Sequence, residues 1–494
     1  MTDAPGLQWP LDAKGKRATG APGQRIIAAA LRGLDATAAD AVAAEHDWRH
    51  AYPAHWCALV QAQAARPVGV VASARAGLAA AWRELPFMRA GQAHALADAM
   101  NTPQRRLQTL QLRGSGDAAP ARWTVPHQGR ELHGDALARQ IDRWEKGGIC
   151  EAAHAGALRD CLAHPEWFDL SDQHLVLLGA GSEAGPLAWL AKWRANLVGI
   201  DLARAATWKR IAAIVAAGNA TLIAPVAPDQ PLDVAHAGAD LLADTPEIAA
   251  WLASRQQPLS IANLAYLDGE RHVRVSLAMD AISATLCAAD ARTQLAYMAT
   301  PTDVFAVPEQ LARDVMRRYA ERGLVKKLGQ FGARLGSGGR GFAPHIEGLI
   351  DAGDFGRDSG TWGLVDALVV EQGPNYALAK RLQQWRALVA RADGHRVAFN
   401  VAPSTTTASV VSNPLLAAGF RGAKAFGVEV FAPATTNALM AAMWVHQLRT
   451  EARDFAHPLK LLVHTANHGG LWRLPYRPRS VLPMAALLGF VKRR

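Results

Sequence analysis

The stretch His174-Leu175-Val176-Leu177-Leu178-Gly179-Ala180-Gly181-Ser182-Glu183-Ala184-Gly185-Pro186 decides the fold. A short apolar run that ends in glycines marks a strand buried on both faces, as in a parallel sheet. The glycines turn the chain sharply, and Pro186 suits a first helical turn because its missing N–H has no partner there. Such a strand–turn–helix lets backbone N–H groups and the positive helix end approach a pyrophosphate.

Outward from this unit the same alternation continues. Asn196 to Asp201, Thr221 to Val226, Leu259 to Ala262, Gln294 to Thr300, Arg396 to Val401 and Leu459 to Val463 read as further strands. Helices are expected around Pro186–Trp193, Trp208–Ala217, Pro246–Ser254, His272–Ala288, Tyr376–Ala392 and Asn437–Arg449. The alternation demands crossovers and predicts an α/β fold, a doubly wound parallel sheet of about seven strands of Rossmann type. The second strand ends at Asp201, about twenty residues after the first glycine, where a carboxylate can grip a ribose hydroxyl.

Residues 1–170 read as an N-terminal helical domain, with helical spacing in Ile26–Leu34, Ala41–Ala64, Val70–Leu85 and Asp135–Cys161. His127 and His133 flank a loop there and read as structural or solvated. Residues 171–494 read as the nucleotide-binding domain. Its rhythm breaks over about 303–372, an insertion with a basic amphipathic helix, Glu309–Arg322, and a glycine-rich run, Phe331 to Phe342. Lys326, Lys327, Arg334 and Arg340 in the insertion suit an anionic group on a small-molecule substrate, although a solvated loop explains them as well.

The bulk composition narrows the class. Half the residues are apolar and 19% are charged, which is a globular composition with ample material for a core. The net charge of +10 favours acidic partners without specifying one, and nucleic acid is not expected. Cys57, Cys150, Cys161 and Cys287 lack metal-ligand or framework spacing and read as reduced thiols of a cytoplasmic protein. His464 and His468 have no carboxylate or cysteine at ligand spacing, so no metal centre is expected. The C-terminal extension, about 466–494, interleaves aromatic and apolar residues with basic ones and ends in Lys492-Arg493-Arg494. It suits peripheral contact with an anionic membrane and a lipid-like substrate; packing within a homo-oligomer explains it equally well.

Downstream stands Gly373-Pro-Asn-Tyr376-Ala-Leu-Ala-Lys380. Residues four apart share a helix face, so the phenol and ammonium can point into one cleft. A cation beside a phenol favours the phenolate and makes it a competent proton carrier. The following strand runs into Ala402-Pro403-Ser404-Thr405.

In this order, glycine turn, acid, Tyr-x-x-x-Lys and strand into Ala-Pro, the chain resembles the short-chain dehydrogenase/reductase superfamily. The resemblance spans roughly residues 172–465. It implies an oxidoreductase that moves hydride between nicotinamide and an alcohol/ketone pair, with Tyr376 as general acid/base. Lys380 would lower the Tyr376 pKa and hold the nicotinamide ribose. Gly179, Gly181, Ser182, Gly185, Asp201, Asn263, Pro403 and Thr405 would hold NAD or NADP, with Asp201 favouring NAD. Thr300 and Thr302 stand where the family usually places serine, and Ser276 stands for its helical asparagine. Glu183 replaces a turn glycine, and Ser404 follows Pro403 in place of another. Two other readings stay open: a non-catalytic dinucleotide-binding protein, and an S-adenosylmethionine-dependent methyltransferase.

Overall fold

The structure is a computed structural model that describes residues 4–183, 185–322, 341–353, 360–369 and 371–491. Seven strands make the main sheet: β1 (Gln108–Arg113), β2 (His174–Leu178), β3 (Asn196–Ile200), β4 (Thr221–Val226), β5 (Ser260–Asn263), β6 (Gln294–Ala299) and β7 (Arg396–Val401). Their spatial order is β7-β6-β5-β2-β3-β4-β1. Strands β2 to β7 run parallel, and β1 pairs antiparallel with β4 from Gln108↔Val226 to Arg113↔Thr221. The protein is therefore α/β, with a mostly parallel sheet.

Alternate side chains of each strand point to opposite faces, and both faces are covered. Val176, Leu178, Val198, Ile200, Ile261 and Leu295 enter one apolar core; Leu175, Leu177, Leu197, Leu222 and Ala224 enter the other. The first core is closed by the helices Glu270–Ala289 and Gly373–Ala392, buried over most of their length. The second is closed by Gly134–Lys146, Ala152–Ala163, Ala205–Ala216 and Pro433–Arg449.

The N-terminal segment is not only helical. Its helices Gly20–Arg32, Trp48–Ala65 and Val70–Glu84 form a further layer that shares the first core. Gly77 lets the last of them approach Trp385 so closely that a Cβ there would lie 2.4 Å from the indole ring. Polar bonds also join the layers, with Trp82 Nε1 donating to Asp280 at 2.7 Å and Trp9 Nε1 to the Glu270 carbonyl at 3.2 Å. The same segment supplies β1, whose Leu110 and Leu112 face inward between exposed Thr109, Gln111 and Arg113.

Two expected elements are corrected. Residues 459–463 do not form a strand; Lys460–Val463 is one helical turn packed against β7 and the strand Val304–Pro308. The seventh strand is β1, at the opposite edge. The helix expected over Pro186–Trp193 shrinks to Leu187–Leu190, so the aligned peptide dipoles amount to a single turn. The insertion holds a three-stranded antiparallel sheet, Val304–Pro308, Thr361–Asp366 and Leu349–Asp351, beside the helix Glu309–Ala320. Lys326, Lys327, Arg334, Arg340 and most of the glycine-rich run lie outside the described residues.

Candidate functional site

Chain order reverses beside β2, since β3 and β4 go to one side and β5, β6 and β7 to the other. Such a reversal opens a crevice at the carboxyl ends of the strands. A cleft of about 700 Å³ lies there. Its lining brings together Gly179, Gly181, Ser182, Asp201, Asn263, Thr300, Thr302, Tyr376, Lys380, Pro403 and Thr405, drawn from positions far apart in sequence. Gly185 is not part of the lining; its N–H closes the turn on the Ser182 carbonyl at 3.0 Å.

The glycine turn is held tightly. Gly179 has φ +99°, and a Cβ there would lie 2.5 Å from the Ala265 nitrogen, so only glycine fits between β2 and the chain leaving β5. The Gly179 and Ala180 amides donate to the Ile200 carbonyl at 2.9 and 3.0 Å, and the Ser182 amide to the Gly179 carbonyl at 3.1 Å. The Gly181 amide donates to Asp201 Oδ2 at 2.7 Å, and the Leu202 amide to Asp201 Oδ1 at 2.8 Å. Both Asp201 oxygens thus already accept a bond, and each keeps capacity for one more. Arg210 Nη2 donates to the Gly181 carbonyl at 2.6 Å, which brings a guanidinium beside the acid.

Glu183 belongs to the same turn. Its Oε2 accepts the Ala408 N–H at 3.0 Å, and its carbonyl accepts from Asn437 Nδ2 at 3.1 Å. These bonds tie the glycine turn to the chain after β7. There Thr405 Oγ1 bonds the Pro403 carbonyl at 2.8 Å and lies 2.7 Å from Thr436 Oγ1. Asn263 is buried at the β5 tip, with its amide 3.4 Å from Ser283 Oγ.

Opposite the glycines, Tyr376 and Lys380 both face the cleft from the first two turns of Gly373–Ala392. Lys380 Nζ lies 5.4 Å from the Tyr376 ring centroid. Thr300 Oγ1 and Thr302 Oγ1 are 2.8 Å apart, and Thr302 Oγ1 donates to Gln372 Oε1 at 3.2 Å. Burial raises the Tyr376 pKa, and hydrogen bonds with Thr300, Thr302 and Gln372 oppose the rise. The Tyr376 pKa therefore lies above its ordinary value, where a fall was expected, because burial outweighs the groups that oppose it. Burial lowers the Lys380 ammonium to about 8, with the nearby Asp303 carboxylate pulling the other way.

Several neighbours were not legible in advance. His272 is buried against Tyr376 and Tyr266, at ring distances of 5.5 and 4.6 Å, and neither ring nitrogen has a hydrogen-bond partner. Burial and Lys380 hold it well below its ordinary pKa. Asp303 forms a buried pair with Arg381 at 3.2 Å and accepts from Gln384 Nε2 at 2.7 Å. A histidine three residues into a helix carries no pattern that separates it from a core histidine. The Asp303–Arg381 pair spans the insertion, which hid it.

The remaining candidates lie elsewhere. His127 is 3.3 Å from the Glu429 carboxylate, and His468 is buried 3.0 Å from Glu151, which also pairs with Arg473. Ser276 is buried with its hydroxyl unpartnered, and the four cysteines are free thiols. Among the described residues no group of histidine, cysteine and carboxylate is arranged to hold a metal ion. No helix among them is long and apolar enough to cross a membrane.

No family model, no curated protein and no solved structure matches this chain.

Proposed function

We propose that the chain has a Rossmann fold, binds a nicotinamide dinucleotide in this cleft, and exchanges hydride with an alcohol/ketone substrate. The observation that carries the reading is the shared lining: Tyr376 and Lys380 face the same cleft as Gly179, Gly181 and Asp201. The parallel strands β4-β3-β2-β5-β6-β7 follow the order known from dinucleotide-binding sheets. The volume suits a cofactor-sized ligand, and Asp201 retains accepting capacity at the β3 tip.

Asp201 would hold the adenosine ribose, Lys380 the nicotinamide ribose, and Asn263 and Thr405 the walls near the ring. Bound nicotinamide supplies or accepts the hydride. Tyr376 carries the proton at the substrate oxygen. Its raised pKa keeps the phenol protonated at neutral pH, which suits it as the acid that protonates a forming alkoxide. Thr300 and Thr302 fix the direction of that hydroxyl. The Lys380 ammonium adds positive charge where negative charge develops on oxygen.

Titration of the purified chain with NADH, NADPH and S-adenosylmethionine tests the reading. Binding of a nicotinamide dinucleotide is expected. Binding of S-adenosylmethionine alone would overturn it in favour of a methyltransferase. Two observations favour a second reading, a dinucleotide-binding protein without catalysis. The Gly181 amide is bonded to Asp201, and the following helix is one turn long, so the turn is built less openly toward a pyrophosphate. A Tyr376→Phe variant separates the two, because only a catalyst loses turnover.

A further inference from the structure

We propose that the packed helices Pro414–Ala423 and Pro478–Val491 form a docking face for an anionic lipid bilayer. Exposed large apolar side chains concentrate on this pair and on the short helix leading into it: Val411, Leu415, Met484, Leu487, Phe490 and Val491 are 40–64% exposed. On Pro478–Val491 the exposed positions 483, 484, 487, 490 and 491 recur at helical spacing, so they make one stripe. The opposite face, Val481, Ala485, Ala486 and Gly489, is buried. The stripe is rigidly mounted: a Cβ at Gly422 would lie 1.8 Å from the Ala485 carbonyl oxygen, so the two backbones touch. Soluble surfaces rarely gather apolar side chains in this way without a partner.

Charge chooses the partner. No aspartate or glutamate occurs over residues 394–428 or 455–494. Arg421, whose Nε donates to the Gly489 carbonyl at 3.3 Å, and Lys424 at the end of Pro414–Ala423 are exposed, and Lys492, Arg493 and Arg494 follow the stripe in sequence. A second copy docked by the same face would bring Arg421 and Lys424 of both copies into one interface with no acid of either segment to pair them. An anionic headgroup layer pairs them and takes up the apolar side chains at its acyl boundary. The helix of 14 residues rests on the surface and does not cross it.

Co-sedimentation of the full chain with vesicles tests this. Vesicles of phosphatidylcholine with about one third phosphatidylserine are expected to bind it, and phosphatidylcholine alone to bind it far less. The double variant Leu487→Ser, Phe490→Ser should weaken binding about tenfold at an unchanged melting temperature. An independent pair, Met484→Ser with Val491→Ser, should do the same, and Lys424→Glu should reduce the preference for anionic vesicles. Failure to bind anionic vesicles, or binding unaffected by both serine pairs, overturns the proposal. So does a dimeric mass in sedimentation velocity that falls to monomer in the serine variants. NADH titration without vesicles reads the cofactor site separately, so neither result decides the other.

Discussion

The Asp201 carboxylate accepts the Gly181 amide proton at 2.7 Å, so the acid at the tip of β3 holds the glycine turn that follows β2. One residue thereby shapes the turn and presents its remaining lone pairs to the cleft. Asp201→Asn keeps an acceptor but removes the charge. NADH affinity is expected to fall about tenfold, the loss of roughly one charge-assisted hydrogen bond. Calorimetric titration measures it, and unchanged affinity would show that the ribose is gripped elsewhere.

Tyr376→Phe removes the hydroxyl proposed to carry the proton and keeps the ring against His272 and Tyr266. Turnover of an alcohol/ketone pair should drop about 10²-fold or more, while the dissociation constant for NADH stays within about a factor of two. Steady-state rates with a panel of small ketones, together with the titration, check both halves.

Lys380 titrates at about 8, below the ordinary lysine value, because burial disfavours the ammonium. Ketone reduction is expected to fall as pH rises through about 8, and Lys380→Met should lack that limb. The same shift bears on stability. Between about 8 and the ordinary lysine pKa near 10.4, the unfolded chain binds more protons than the folded one, so stability attributable to this group rises with pH. The urea midpoint of the wild type should therefore gain on that of Lys380→Met between pH 7 and pH 10. A constant difference would mean that the ammonium is solvated in the folded chain.

Asp303 and Arg381 are both buried and lie 3.2 Å apart. Asp303→Ala leaves a guanidinium without its ion partner and should cost about 3–5 kcal/mol in urea unfolding. The milder Asp303→Asn removes the charge that favours the Lys380 ammonium, so the alkaline limb of ketone reduction should move below about 8.

Gly179→Ala demands a positive φ of a residue with a side chain and drives a Cβ into the backbone at Ala265. The expected cost is about 1–3 kcal/mol, read as a lower urea midpoint. Wild-type stability in this variant would show that the β2–β5 approach relaxes freely.

Much of the main sheet was legible because its strands announce themselves locally. The runs at 174–178, 196–200, 221–226, 260–263, 294–299 and 396–401 are short, apolar and bounded by turn residues, and each became a strand. The run at 459–463 has the same local character and became a helical turn, since a short apolar run alone does not separate the two states. The reverse happened at 108–113. Its alternation Gln-Thr-Leu-Gln-Leu-Arg carries the period of a half-buried edge strand, but it stands among segments of helical spacing that mask it. At the site, the glycines, Asp201, Tyr376 and Lys380 were readable from spacing, whereas His272, Asp303, Arg381 and Gln372 were not.

The amino-acid order alone determined the alternation of parallel strands and helices, the sharp glycine turn after β2 and the one-turn separation of Tyr376 from Lys380. These depend on residues within a few positions of one another, through the period of the backbone and the steric freedom of glycine. The tertiary structure decided which strand completes the sheet, that Asp201 occupies the Gly181 amide, and which groups surround the phenol. Those outcomes rest on groups from about 20 to more than 100 residues apart in the chain meeting in the folded protein, and on burial itself. That is why the Tyr376 pKa moves up where the neighbouring cation alone would have taken it down.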